Sequence, residues 1–132
     1  MNRYRAIEIS YLVWDRIAKN QSGSKFFAVL DLYDINVITE EEFVQLGDCA
    51  YCACCVYCSK EPGPYNCEIC PGNDLWCAGE EQSGLCFTCV NIANSPYNLF
   101  DAELFGSKKR TIYAKEIADY FKNLLKEEQD GK

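Results

Sequence analysis

The residues of this chain that can do chemistry are its cysteines. All ten lie between Cys49 and Cys89, in CAYCACCVYCSKEPGPYNCEICPGNDLWCAGEEQSGLCFTC, and the chain has no histidine. Five C-x-x-C pairs run through the stretch: Cys49/Cys52, Cys52/Cys55, Cys55/Cys58, Cys67/Cys70 and Cys86/Cys89. Two thiolates at this spacing turn onto one ion while the backbone amides between them point at the sulfurs. Two such pairs close a tetrahedral four-cysteine site, the usual form of structural zinc. Cys52, Cys55, Cys67 and Cys70, two pairs separated by a loop with turn residues, are the expected first site. Cys86 and Cys89 are expected to join two of Cys49, Cys58 and Cys77 in a second, giving two zinc ions per chain. Cys54, wedged against Cys55 and outside every C-x-x-C pair, is the expected spare thiol.

Rival chemistries fit less well. A disulfide framework needs an oxidising compartment, and MNRYRAIEISYLVWDRIAK lacks the uninterrupted apolar core of a signal peptide. No apolar run approaches membrane-spanning length, so a soluble, cytoplasmic chain with no membrane partner is expected. Cys49, Cys52 and Cys55, followed much later by Cys70-Pro71, partly echo a ferredoxin run. That run requires a cysteine at position 59 followed by proline, where Ser59 and Lys60 stand, and Cys58 comes one place early.

The elements that must position these thiols are helical. At 132 residues one domain is expected: a helical part over 1–48, the cysteine-rich core over 49–89 and a second helical part over 90–132. Tyr4, Ile7, Tyr11, Trp14 and Ala18 recur at three- and four-residue steps, one face of an amphipathic helix. Ser24 caps a second helix over Lys25–Tyr33 carrying Phe26, Val29, Leu30 and Tyr33, although FFAVLDLY also reads as a buried strand. Thr39 with Glu40, Glu41 and Glu42 is a capping box opening a short helix with Phe43 and Leu46 that stops at Gly47. Ser95-Pro96 starts a further short helix through Leu104 and Phe105. After Gly106, Ser107 caps a last helix with the stripe Tyr113, Ile117, Phe121 and Leu124, widened by Tyr120. The first and last helices are the natural pair. Between them Pro62-Gly63-Pro64, Pro71-Gly72-Asn73 and Ser83-Gly84 punctuate the cysteine stretch with turns, so metal is expected to supply much of its folding free energy. The expected fold is mainly α, with irregular zinc-stabilised loops: N- and C-terminal amphipathic helices flank a cysteine-rich core.

The order Cys52, Cys55, Tyr57, then Cys67, Cys70, Pro71, then Trp76, then Ser95-Pro96-Tyr97 and Phe100, followed by an amphipathic helix, resembles a group of small cysteine-rich zinc-binding proteins common in bacteriophage genomes. The resemblance covers about residues 49–125 and implies a small metal-binding phage protein acting inside the bacterial host. It implies no reaction. The additional cysteines Cys49, Cys58 and Cys89 depart from the pattern and suggest a second site or an elaboration of this chain.

Composition sorts the function classes. Without histidine, the His-dependent triads and dyads are excluded. The zinc deaminase signature has neither its ligand-x-Glu nor its P-C-x-x-C. Thiol–disulfide exchange uses C-x-x-C, but in a strand–helix context that is not legible here. Paired C-x-x-C favours closed, structural sites, so no enzymatic activity is expected. The net charge is −7, and two filled four-thiolate zinc sites take it to roughly −11. Such a surface repels nucleic acid and attracts basic protein patches. Lys108-Lys109-Arg110 at a helix start reads as a solvated helix end rather than a phosphate site. The expectation is a protein-binding module directed at a basic surface of a host protein, most concretely an anti-CRISPR-type inhibitor of a host defence nuclease. Glu80, Glu81, Asp101 and Glu103 are the acids expected to meet the partner. The alternatives are a zinc-ribbon-like nucleic-acid-binding or transcription-associated protein and, further off, a thiol oxidoreductase or an iron–sulfur protein.

Overall fold

The computed structural model describes residues 1–19, 24–49, 51–58, 65–66, 69–72, 85–86, 100, 103 and 108–130, with backbone only at 65–66 and 85–86. These residues are mainly helical: α1 (Arg3–Lys19), α2 (Lys25–Asp34), α3 (Glu40–Asp48), α4 (Ala53–Cys58) and α5 (Lys108–Asp130). A two-residue antiparallel ladder, β1 (Tyr65–Asn66) against β2 (Leu85–Cys86), pairs Tyr65 with Cys86 and Asn66 with Leu85. Among the described residues no helix is long and apolar enough to cross a membrane.

Helix α1 is the centre of the packing, touching α5 most extensively and α4 and α2 on its other sides. It runs antiparallel to α5. Arg3 Nε meets Glu128 Oε1 at 2.7 Å and Gln129 Nε2 donates to the Tyr4 hydroxyl at 2.9 Å, so the start of one helix lies at the end of the other. A helix with neighbours on several sides buries a wide face. Ala6, Ile7, Ile9, Ser10, Val13, Trp14 and Ile17 are buried, while Tyr4, Tyr11 and Ala18 of the expected stripe are only half-buried at its margin. On α5 the buried side is Arg110, Ala114, Ile117, Ala118 and Phe121, with Tyr113, Tyr120 and Leu124 half-buried along its edge. Alanines at 6, 114 and 118 leave room for the two backbones to approach.

The segment 25–34 is helix rather than strand. Its ends show why. Ser24 Oγ accepts the Phe27 N–H at 3.3 Å, an N-cap. At the other end Asn36 takes φ 63°, the Val37 N–H donates to the Leu32 carbonyl at 2.9 Å and the Asn36 N–H to the Tyr33 carbonyl at 3.0 Å. That is a Schellman closure with asparagine at the left-handed position. Ala28, Val29 and Leu32 face inward, whereas Phe26, expected on the apolar face, is exposed. Helix α3 has the expected capping box, with the Glu42 N–H donating to Thr39 Oγ1 at 3.1 Å and the Thr39 N–H to Glu42 Oε1 at 2.9 Å. The same carboxylate receives Arg5 Nε at 2.7 Å and Nη2 at 2.9 Å, locking α3 to α1. Hydrogen bonding to Arg5, ahead of the opposing effect of burial, holds Glu42 at about 2. Gly47 does not end α3, which continues to Asp48. The chain turns afterwards, where Tyr51 adopts φ 59° and its N–H donates to the Leu46 carbonyl at 2.7 Å.

Arg110 corrects the reading of 108–110 as a solvated end. It is buried, its guanidinium lies 3.7 Å above the Phe100 ring, and Nη1 donates to the carbonyls of Phe100 at 2.9 Å and Glu103 at 3.1 Å. Phe100 in turn meets Trp14 edge-on at 4.9 Å, so an α1–Phe100–α5 stack fixes this end of the helix pair. The short helix expected through Leu104 and Phe105, and the Ser107 cap, lie outside the described residues.

Candidate metal centre

The cysteine stretch opens with a helix, which its turn-rich composition does not announce. Cys52 caps α4 with sulfur in place of the usual oxygen: Sγ accepts the Cys55 N–H at 3.4 Å, and the Cys52 carbonyl accepts the Val56 N–H at 3.1 Å. Six residues of ACCVYC are too few to hold a helix by propensity. Docking against α1 supplies the rest, with Ala53, Cys54 and Cys58 buried.

Helical spacing puts Cys54 and Cys58 one turn apart on the inward face of α4. Cys54 is fully buried, and Ser10 of α1 reaches it, Oγ to Sγ at 3.4 Å. From the turn at 69–72 comes Cys70, also buried, whose thiol lies beside those of Cys54 and Cys58. Cys52, half-buried, accepts the Cys55 N–H and lies beside Cys54. The Cys58 thiol also points back to the Cys55 carbonyl at 3.8 Å. Tyr120 fixes the far side by donating its hydroxyl to the Pro71 carbonyl at 3.0 Å, which ties the turn beside Cys70 to α5.

These contacts separate the thiols by charge. Burial, first, and then the neighbouring sulfurs of Cys52 and Cys70 push Cys54 well above its ordinary value. Hydrogen bonds from Cys54 and Cys58, against burial, bring Cys70 down to about 4, with the Gly72 N–H adding. Hydrogen bonds from Cys54 and Cys55 pull Cys52 well down, against burial and helped by the charge of Lys25 and by the Cys55 N–H. One protonated thiol thus sits between two sulfurs inclined to be thiolate. Thiolates are what a soft divalent ion binds, so the donor chemistry fits zinc. The thiols follow one another, Cys55–Cys52–Cys54–Cys70–Cys58, rather than closing a shell: among the described residues no three Cys, Asp or Glu side chains are grouped to hold an ion.

Of the expected first site, Cys55 donates its N–H to Cys52 at the start of α4 and Cys70 lies beside Cys54, with no three of these side chains grouped to hold an ion among the described residues, and Cys67 lies outside them. Of the second, Cys58 belongs to the first cluster instead. Cys49 is half-buried at the end of α3, its carbonyl accepting the Cys52 N–H at 3.1 Å. Cys86 is described by its backbone, in the ladder opposite Tyr65, while Cys77 and Cys89 lie outside the described residues. Cys54, set aside as spare, is at the middle of the cluster. The C-x-x-C template hides it, and only the four-residue step to Cys58, read as helix, points to it. Ser10 was also missed; a single hydroxyl within an apolar helical face is its signal, since a buried hydroxyl needs a partner. Of the acids expected to meet a partner, Glu103 is half-buried and Glu80, Glu81 and Asp101 lie outside the described residues.

Comparison of the chain with protein-family models, with curated proteins and with solved structures finds no match.

Proposed function

We propose that the chain is a zinc-stabilised, non-enzymatic protein-binding module, with the thiols around Cys54 as the first part of its metal centre. The observation that carries this reading is that buried Cys54 and Cys58 of α4 and buried Cys70 of the 69–72 turn lie side by side, with half-buried Cys52 next to Cys54 at the helix start. Cysteines beyond the described residues, Cys67 first, complete the coordination, and the full chain holds two zinc ions. Zinc supplies a crosslink where the turns bury little apolar surface. The net charge of −7, deepened by thiolate sites, directs the module to a basic protein surface rather than to nucleic acid. Its most concrete form, supported by the resemblance to phage cysteine-rich proteins and by charge, is an inhibitor of a host defence nuclease that occupies the groove where nucleic acid binds. Elemental analysis of the purified chain tests the first half: zinc without iron, and a colourless solution, are expected. Capture from host lysate tests the second: the recovered partner is basic and is released by salt. Iron with visible absorption, or a partner indifferent to salt, overturns the respective half.

One observation favours a second reading. The motif Cys52-x-x-Cys55 opens a helix, and its first sulfur is lowered by hydrogen bonding, as in thiol–disulfide oxidoreductases. Here the helix follows α3 rather than a strand. Catalysed reduction of insulin by the metal-free chain, lost in Cys52→Ser, distinguishes this reading from a structural site.

A further inference from the structure

The outer surfaces of α2 and α3 combine two features that are dispersed elsewhere. Of the five large hydrophobic side chains found exposed among the described residues, Phe26, Phe27 and Val44 belong to these two short helices, Ile35 caps the end of α2, and only Ile112 lies elsewhere. The aromatic ones form a cluster. Phe26 meets Phe27 at 5.4 Å and Tyr51 at 5.3 Å between ring centroids, while the Tyr51 ring edge lies over Gly47, 3.9 Å from where a Cβ would stand. Tyr51 therefore bridges the start of α2 and the end of α3, and holding it there takes a left-handed backbone at φ 59°, uncommon for a bulky residue.

The second feature is charge. Residues 25–48 contain one lysine and six acids, a net −5 out of the chain's −7. Arg5 engages Glu42 and Arg16 faces Asp31 at 3.5 Å, both from α1. Asp34, Glu40, Glu41 and Asp48 are exposed, and among the described residues none of them is in an ion pair.

We infer that the α2–α3 surface, centred on Phe26, Phe27 and Tyr51, is a docking face for a basic amphipathic segment of a partner protein. Apolar side chains of that segment cover the two phenylalanines, and its arginines or lysines meet the aromatic faces and the surrounding acids. Charge selects this occupant. A second copy of the chain would bring −5 against −5, and nucleic acid or an anionic membrane is repelled in the same way. The inference rests on the basic-partner reading above and names where that partner binds: on α2–α3, away from the acids near the metal-bound loops.

The test uses the full zinc-loaded chain and a fluorescent synthetic helix of lysine and leucine with its leucines on one face; a scrambled peptide of equal composition is the control. Anisotropy is measured for the native chain, for Phe27→Ala, for the double reversal Glu40→Lys/Glu41→Lys and for a charge-matched reversal on α5, Glu116→Lys/Glu127→Lys. All five substituted residues are exposed, and helical circular dichroism verifies folding. Binding by the native chain, about tenfold weaker in Phe27→Ala and in the α3 reversal but little changed in the α5 reversal and weak for the scrambled peptide, is expected. Equal weakening by the two reversals, no effect of Phe27→Ala, or equal binding of the scrambled peptide removes this face and leaves the basic-partner reading standing. A native chain that binds neither peptide overturns both.

Discussion

The α1–α5 pair and the described residues between Cys49 and Gly72 are joined into one core by different means. In the helix pair, order comes from repetition: Ile7, Val13, Trp14 and Ile17 on one helix and Ala114, Ile117, Ala118 and Phe121 on the other each exclude water from the same interior. In the described part of the cysteine segment, apolar docking of Ala53, Cys54 and Cys58 on α1 is joined by single polar contacts. One sulfur caps α4, one thiol lies between two neighbours, one tyrosine hydroxyl holds the turn at Pro71. A repeated pattern tolerates the loss of any one hydrogen bond and is sensitive to volume. A set of single contacts tolerates changes of volume and fails when one donor is lost. The two regions should therefore respond to different perturbations.

The largest effect is expected from volume in the helix pair. Phe121 is fully buried, and Phe121→Ala should cost about 3–5 kcal/mol of unfolding free energy. Because the loss lies in apolar packing, it should appear equally with zinc and after chelation. A loss seen only in the zinc-loaded protein would mean that α5 depends on the metal centre and that the contrast between the regions is false.

Next comes the thiol at the middle of the cluster. Cys54→Ser replaces a buried sulfur by a smaller, more polar hydroxyl between Cys52, Cys70 and Ser10, and a cost of about 1–3 kcal/mol is expected from chemical denaturation. Zinc content should fall with it. Retained stability and retained zinc would return Cys54 to the spare role that spacing alone assigns it.

These two substitutions mark what was legible in the sequence. Periodicity and caps carry physical information over many residues, so α1, α2 with its Ser24 cap, α3 with its Thr39–Glu42 box and α5 could all be placed. What failed was finer: which side of α1 is innermost depends on how many neighbours surround it, and Phe26 is exposed because α2 turns Ala28, Val29 and Leu32 inward. The cysteine stretch carries no period. There C-x-x-C spacing singled out the thiols as the residues with chemistry to do, but it could not see α4, whose helical step puts Cys54 and Cys58 on one buried face. Arg110 failed for the same reason: a basic run at a helix start looks solvated until the ring of Phe100 is seen beneath it.

A smaller effect, with a pH signature, comes from the joint between α1 and α3. The Glu42 carboxylate sits at about 2 in the folded protein against an ordinary 4.5. Its contribution is therefore complete above about pH 4.5 and is lost as pH falls towards 2. Glu42→Gln should lower stability by about 1–2 kcal/mol at neutral pH and narrow the difference from the native chain on acidification. Melting curves taken from neutral pH down towards the lowered value of about 2 check this. A difference that is constant across the range would assign the effect to lost packing rather than to the ion pair with Arg5.

The smallest expected effect tests the link between the two regions. The Tyr120 hydroxyl donates to the Pro71 carbonyl across the boundary, and the residue next to that carbonyl is Cys70. Both Tyr120 and its bond are half-buried, so in Tyr120→Phe water can replace the lost donor, and global stability should fall by only about 0.5–1 kcal/mol. The local consequence is larger than the global one. Without the hydroxyl the 69–72 turn opens more often, and Cys70 of the metal-free protein should react with maleimide several-fold faster, while Cys54, held by α4 and Ser10, keeps its rate. Alkylation of the two cysteines, followed by mass spectrometry of the digested chain, separates the two rates. If both rise together, the thiol cluster opens only with the whole helical core, and the single contacts are no weaker a form of order than the repeated ones.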